Sequence, residues 1–149
     1  MKTITITFDG LPAIKKVTNY RKKDSWLAQK MNADFYAFRD MIQLRFKKEL
    51  LEIQELAMNK GSCFFVEVII CKSLPKSITK KEKKRYDNTP NNERYCNTKP
   101  DIDNLQKGLF DAVFTGVDQK ICNIKMVKLW AEKDQTKVII YAKNIDDNI

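Results

Sequence analysis

K-P-D-I-D-N-L-Q-K-G-L-F-D-A-V-F-T-G-V-D, residues 99–118, sets aspartates and lysines into a stretch whose apolar residues recur with a helical period. Pro100 has a fixed φ and disfavours helix at Lys99, while Asp101 or Asp103 can cap the free N–H groups of a helix beginning there. A helix is therefore expected to start just after the proline. On it Leu105, Leu109, Ala112 and Val113 fall at the i, i+4, i+7, i+8 spacing of a buried stripe. Asp103, Lys107 and Asp111 recur every four residues, about 40° apart around the axis, and form a separate polar face beside that stripe. Thr115-Gly116 breaks the pattern, and the chain is expected to fold back there and return Asp118 towards the helix start.

Three carboxylates that converge repel one another unless a cation sits between them, and hard oxygen ligands suit Mg²⁺ or Mn²⁺. The competing reading makes Asp101 or Asp103 a simple helix cap and the remaining charges solvated. The proline, the helix, the in-register lysine and the downstream aspartate together favour a divalent-metal site.

K-P-D-I-D-N-L-Q-K-x₃-D-A, followed by a turn and another aspartate, resembles the core motif of the RusA Holliday-junction resolvases. Weaker likenesses run from a first strand with Gly10 and Pro12 to the final strands, and include a lysine-rich segment opening Leu74-Pro75-Lys76-Ser77. The resemblance implies that Asp101, Asp103 and Asp118 bind metal and that Lys107 is catalytic. It also implies a homodimer acting on four-way DNA junctions in recombination and repair, with Mg²⁺ as cofactor. Where the family commonly has an acidic pair this chain has Val117-Asp118, with Asp118 aligned to the second of the pair, and Lys120 stands where the family has glutamine. Asn104 and Asp111 would orient the ligands, although Asp111 at i+4 from Lys107 also suits a helix ion pair.

At 149 residues the chain has the size of a single domain, residues 1–149, with a core that needs no staple. Its net charge of +9 and pI near 9.4 predict attraction to polyanions, nucleic acid first among them. The four cysteines form no C-x-x-C, so zinc spacing is absent. Without a signal-peptide pattern, they are expected as free thiols in a reducing, cytoplasmic compartment, with a bacterial, prophage or phage setting. The absence of histidine removes the Ser-His-Asp triad, a histidine base and a histidine-metal nuclease. Chemistry is left to carboxylates, lysine and metal.

In chain order, Thr3–Phe8 alternates as a half-buried strand. Residues 13–24 carry Lys15, Lys16 and Arg21 around Tyr20, which suits either a phosphate backbone or a solvated loop. Residues 33–58 read as one long amphipathic helix, with Asn59-Lys60-Gly61 as its stop. Cys63–Cys71 is a central strand interrupted by Glu67, whose charge belongs at a bulge, on an exposed face, or at the metal site. Residues 72–99 form a long loop, with a short helix around 79–85, holding nine basic residues against three acidic ones. Delivering this charge into the D-x-D motif suits DNA contact by Lys76, Lys80, Lys81, Lys83, Lys84, Arg85 and Lys99. Residues 121–131 and 137–142 read as strands joined by a hairpin turn at 134–136, Trp130 as a packing residue, and 144–149 as a polar tail.

The expected fold is α+β, a mixed or antiparallel sheet with helices packed on it. Two rival functions are a basic DNA-binding module without catalysis and a metal-dependent nuclease selective for flaps or single strands.

Overall fold

A computed structural model describes residues 2–14 and 26–148. The strands are β1 (Lys2–Asp9), β2 (Ser62–Ser73), β3 (Ile121–Ala131) and β4 (Gln135–Asn144), and the helices are α1 (Trp26–Arg45), α2 (Lys47–Ala57), α3 (Lys80–Asn88) and α4 (Ile102–Val113). The strands form one mixed sheet in the order β1-β4-β2-β3. β4 is antiparallel to both β1 and β2, while β3 runs parallel to β2.

Period-two alternation gives the sheet its buried face. Ile4, Ile6 and Phe8 of β1 register with Ile140, Val138 and Thr136 of β4, and those in turn with Val66, Val68 and Ile70 of β2. All nine are buried, and all but Thr136 join one hydrophobic cluster with residues of α1, α2 and α4. Helix α4 contributes Leu105, Leu109, Ala112 and Val113, the stripe its sequence predicts. Phe114 ends it between Phe64, 6.0 Å away, and Phe110, 5.3 Å away. Burying such side chains stabilises the fold by about 1.5–3 kcal/mol each.

Three elements depart from the sequence expectations. The long helix starts at Trp26 and is interrupted at Phe46, where φ is −115° and ψ is 30°. Phe46 N–H still reaches Ile42 O, and Leu50 N–H reaches Phe46 O, both at 2.9 Å. The apolar period therefore runs through the break, and the sequence carries no sign of it. The 134–136 hairpin is absent, because β2 lies between β3 and β4. Their connection steps across the end of β2, where the Asp134 carboxylate accepts from Ser73 N–H at 2.7 Å. A short polar turn serves either connection, so the local sequence did not distinguish them.

The third departure is the basic loop. Lys72 and Ser73 still belong to β2, and α3 runs to Asn88 behind a Thr79 cap whose hydroxyl accepts from Glu82 N–H at 3.1 Å. Residues 94–96 then lie along the free edge of β3, with Trp130 N–H to Arg94 O at 2.7 Å and Cys96 N–H to Lys128 O at 2.9 Å. The tail from Ile145 makes a 3-10 turn, with Ile145 N–H bonded to Gly61 O at 2.8 Å. Glu67 lies in the strand register opposite the core face and accepts from the Tyr141 hydroxyl at 3.3 Å. It is not aimed at the D-x-D motif.

Candidate active site at the two ends of one helix

Asp101 occupies the N-cap position of α4, with φ −69° and ψ 149°, and its carbonyl accepts the first helical bond from Leu105 N–H at 3.1 Å. Its carboxylate makes no capping hydrogen bond. Asp103 follows in the first turn and Lys107 one turn later, all three exposed and without a polar partner among the described residues. The helix N-terminus favours negative charge at this spot. These groups are therefore available to an external cation and phosphate.

The segment leading into Asp101 is held from below by two lysines. Lys128, on the core face of β3 and 8% exposed, donates to Thr98 O and, at 2.7 Å, to Pro100 O. Lys72, at the end of β2, donates to Thr98 Oγ1 at 3.1 Å and to Lys99 O, and its ammonium lies 5.5 Å from the Trp130 ring centre. The Lys99–Pro100 peptide is cis. A buried ammonium must keep hydrogen-bonding partners, and here the partners are backbone oxygens beside Asp101. Both lysines escaped the sequence-level site. The available signal was their place on the inward register of strands that otherwise bury apolar residues.

Gly108 fixes the helix from a third side. A Cβ there would sit 1.9 Å from Ala13 O, so only glycine permits this approach of α4 to residues 13–14. Ile14 then joins Lys99, Pro100, Asp101 and Asn104 around a hollow of about 390 Å³. Half-buried Asn104 is thus beside Asp101, where an orienting group is expected.

Asp118 lies elsewhere. After the turn at Gly116, whose φ is +76°, it shares a hollow of about 190 Å³ with Asp111, Phe35 and Arg39 at the far end of α4. Twelve helical residues at about 1.5 Å each span about 18 Å. Lys120 accordingly reaches the carbonyls of Asn59 and Lys60, before the start of β2, whereas Lys128 reaches Pro100 beyond its end. The expected return of Asp118 to the helix start does not occur within one chain, because the chain enters parallel strand β3 at the opposite end. No group of three acidic, cysteine or histidine side chains among the described residues is placed to hold a metal. Asp111 likewise stands with Asp118, away from the pair it was expected to orient. Arg39, also missed, carries a buried Nε with no hydrogen-bond partner.

Among the expected DNA contacts, Lys76, Lys80, Lys81, Lys84, Arg85 and Lys99 are exposed. Lys83 is instead engaged at the surface with Asp87 at 2.9 Å and Glu132 at 3.5 Å, and the hydrogen bond to Asp87 leads the causes that raise its pKa. Lys15, Lys16 and Arg21 lie outside the described residues. No described helix is long and apolar enough to cross a membrane.

Fold and charge define a basic α+β domain that presents exposed carboxylates at both ends of one helix. The chain belongs to the RusA family of endodeoxyribonucleases: the family's sequence model, Endodeoxyribonuclease RusA, matches residues 10–141. At the level of the family it is therefore an endonuclease. No curated protein sequence matches it.

Proposed function

We propose that this chain is a divalent-metal-dependent resolvase of four-way DNA junctions, active as a homodimer in recombination and repair, with residues 1–149 as one nuclease unit. The observation that carries it is the Asp101 carboxylate, which stands at a cap position and leaves capping unused. Aspartate at an N-cap ordinarily stabilises its helix by about 1 kcal/mol. Forgoing that bond beside exposed Asp103 leaves two hard oxygen donors at the cap and first turn of the helix, the donor chemistry that Mg²⁺ or Mn²⁺ takes.

Asp101 and Asp103 of one chain, with Asp118 of a second copy, would hold the ion. Two-fold pairing brings each Asp118 to the other chain's Asp101 and Asp103, so one interface completes two sites. When bound, the ion would supply Lewis-acid stabilisation of charge on the scissile phosphate. Lys107, one turn from Asp103 and unpaired among the described residues, adds positive charge at the same phosphate. Asn104 orients Asp101, and Lys72 and Lys128 keep residues 98–100 in place beneath it. The exposed cations of α3, with Lys76 and Lys99, bind the DNA backbone and make affinity fall with salt. The free cysteines suit a reducing cytoplasm, in a bacterial, prophage or phage setting.

The test is cleavage of a labelled four-way junction beside duplex, flap and single strand, with Mg²⁺ or EDTA. Paired symmetric nicks confined to the junction and lost in EDTA are expected. Asp103→Asn is expected to keep binding and lose cleavage, and cleavage by that variant would remove the pair from the mechanism. Binding with no nicks under any condition would make the chain a silent DNA-binding module, and equal cutting of flaps would make it a broader nuclease.

A further inference from the structure

Between α3 and residues 93–98 lies a cavity of about 600 Å³ that the acidic site does not use. Trp130 and Tyr86 line it with apolar surface, and Arg85, Arg94, Asn97 and Thr98 add polar groups. Arg94 is locked in place: its guanidinium lies 4.0 Å from the Tyr86 ring centre, and its Nε donates to Thr89 O at 2.8 Å. A guanidinium plane stacked on a fixed ring is a platform on which a further planar group can stack. Asn97 is exposed and makes no hydrogen bond among the described residues, so its donor and acceptor are free to read an edge.

The cavity is close to the proposed chemistry. Thr98 lines it, and Asp101 follows three residues later, a separation of at most about 11 Å even in an extended chain. DNA advances about 3.4 Å per nucleotide of one strand, so that distance covers about three base steps. Its charged lining is balanced, Arg85 and Arg94 against Glu82 and Glu93, which suits a neutral group more than a phosphate. Aromatic walls, a guanidinium held against one of them, a free side-chain amide and no net charge match one occupant, a nucleobase.

We propose that this cavity receives a single DNA base, unstacked from the strand within about three steps of the cut phosphate, and that Asn97 and Arg94 set the sequence preference of cleavage. The inference rests on the junction-nuclease reading above and names the part of its substrate that is read by identity. Base-on-aromatic stacking favours an unstacked base whatever its identity, and unpairing is least costly where a junction already interrupts the duplex.

Two measurements test it. In the first, junctions randomised around the branch point are cleaved by wild type and by Asn97→Ala, and cut sites are sequenced. Wild type is expected to prefer one base by tenfold or more at one position near the cut. Asn97→Ala is expected to flatten that preference to about two- to threefold. In the second, Asp103→Asn protein is photocrosslinked to junctions carrying 5-iodouracil at successive positions, and modified peptides are mapped. Crosslinks from one position to Trp130 or to residues 93–98 are expected.

Cleavage by wild type with no base preference, or crosslinks only outside the cavity, would overturn the base pocket and leave the nuclease reading intact. Crosslinks in the cavity, together with wild-type protein that cuts nothing, would overturn the nuclease and keep the pocket. Failure to bind DNA would overturn both.

Discussion

Lys128 is the residue on which the acidic motif rests. Its ammonium is buried and spends its hydrogen bonds on Thr98 and Pro100 carbonyls, so Lys128→Met leaves two acceptors without a donor beside Asp101. Charge-assisted bonds of this type contribute about 1.5–3 kcal/mol. The variant is expected to melt several degrees lower and, because groups that orient ligands tune affinity by about 10–100-fold, to bind Mg²⁺ correspondingly more weakly. Lys128→Arg restores charge and donors and is expected to recover part of both; calorimetric Mg²⁺ titration separates this from a loss of fold alone. Cys63 gives a prediction of opposite character. Burial first, then neighbouring Cys122, raises its thiol pKa above the ordinary 9.0. The unfolded chain releases this proton at lower pH than the folded chain, so the contribution to stability is complete below about pH 9 and is lost as pH rises through the folded value. Urea midpoints should fall above pH 9, less steeply in Cys63→Val, and iodoacetamide should modify exposed Cys122 before Cys63.

Helix α4 is the element through which sequence became structure most directly. Its start, apolar stripe and polar face were legible because proline, period and cap position are local signals, and β1, β2 and β3 were legible for the same reason. What the sequence did not reveal was non-local. The β3 to β4 turn has hairpin chemistry but straddles β2, a fact settled by strand pairing far away in sequence. The break at Phe46 keeps the helical period, and the edge pairing of residues 94–96 on β3 has no alternating pattern to announce it. In the candidate site, Asp101, Asp103, Lys107 and Asn104 follow from one helix, whereas the position of Asp118 depends on which end of β2 the next strand enters. Gly108 belongs to this class: nothing in a helical stretch marks a glycine as compulsory, yet Ala13 O is 1.9 Å from where its Cβ would be. Gly108→Ala, which raises intrinsic helix propensity, is therefore expected to lower stability by about 1–3 kcal/mol through overpacking. Thermal melts decide the sign, and a stabilised variant would mean that residues 13–14 yield at no cost.

At the scale of the molecule, the separation of carboxylates turns an apparent defect into a statement about assembly. One chain offers Asp101 and Asp103 at one end of α4 and Asp118 at the other, about 18 Å apart by helix rise, so a three-carboxylate site requires a second chain. Light scattering should then give a dimer mass. The sharper test is complementation. A homodimer of Asp103→Asn lacks a ligand in both sites, and so does a homodimer of Asp118→Asn; neither should cut. Mixed after subunit exchange, the heterodimer contains one site with both defects and one with none, because the Asp118→Asn chain supplies Asp101 and Asp103 while the Asp103→Asn chain supplies Asp118. Random exchange puts half of the subunits into heterodimers with one sound site each, about a quarter of the wild-type number of sites. Activity should return to roughly that level, and as single nicks instead of paired cuts, since each heterodimer can address one strand of a junction. If all three aspartates served one chain, each variant chain would remain defective in any pairing and mixing would restore nothing. Restored nicking therefore assigns Asp118 to the neighbouring copy, and continued silence would return the third ligand to a search within the single chain.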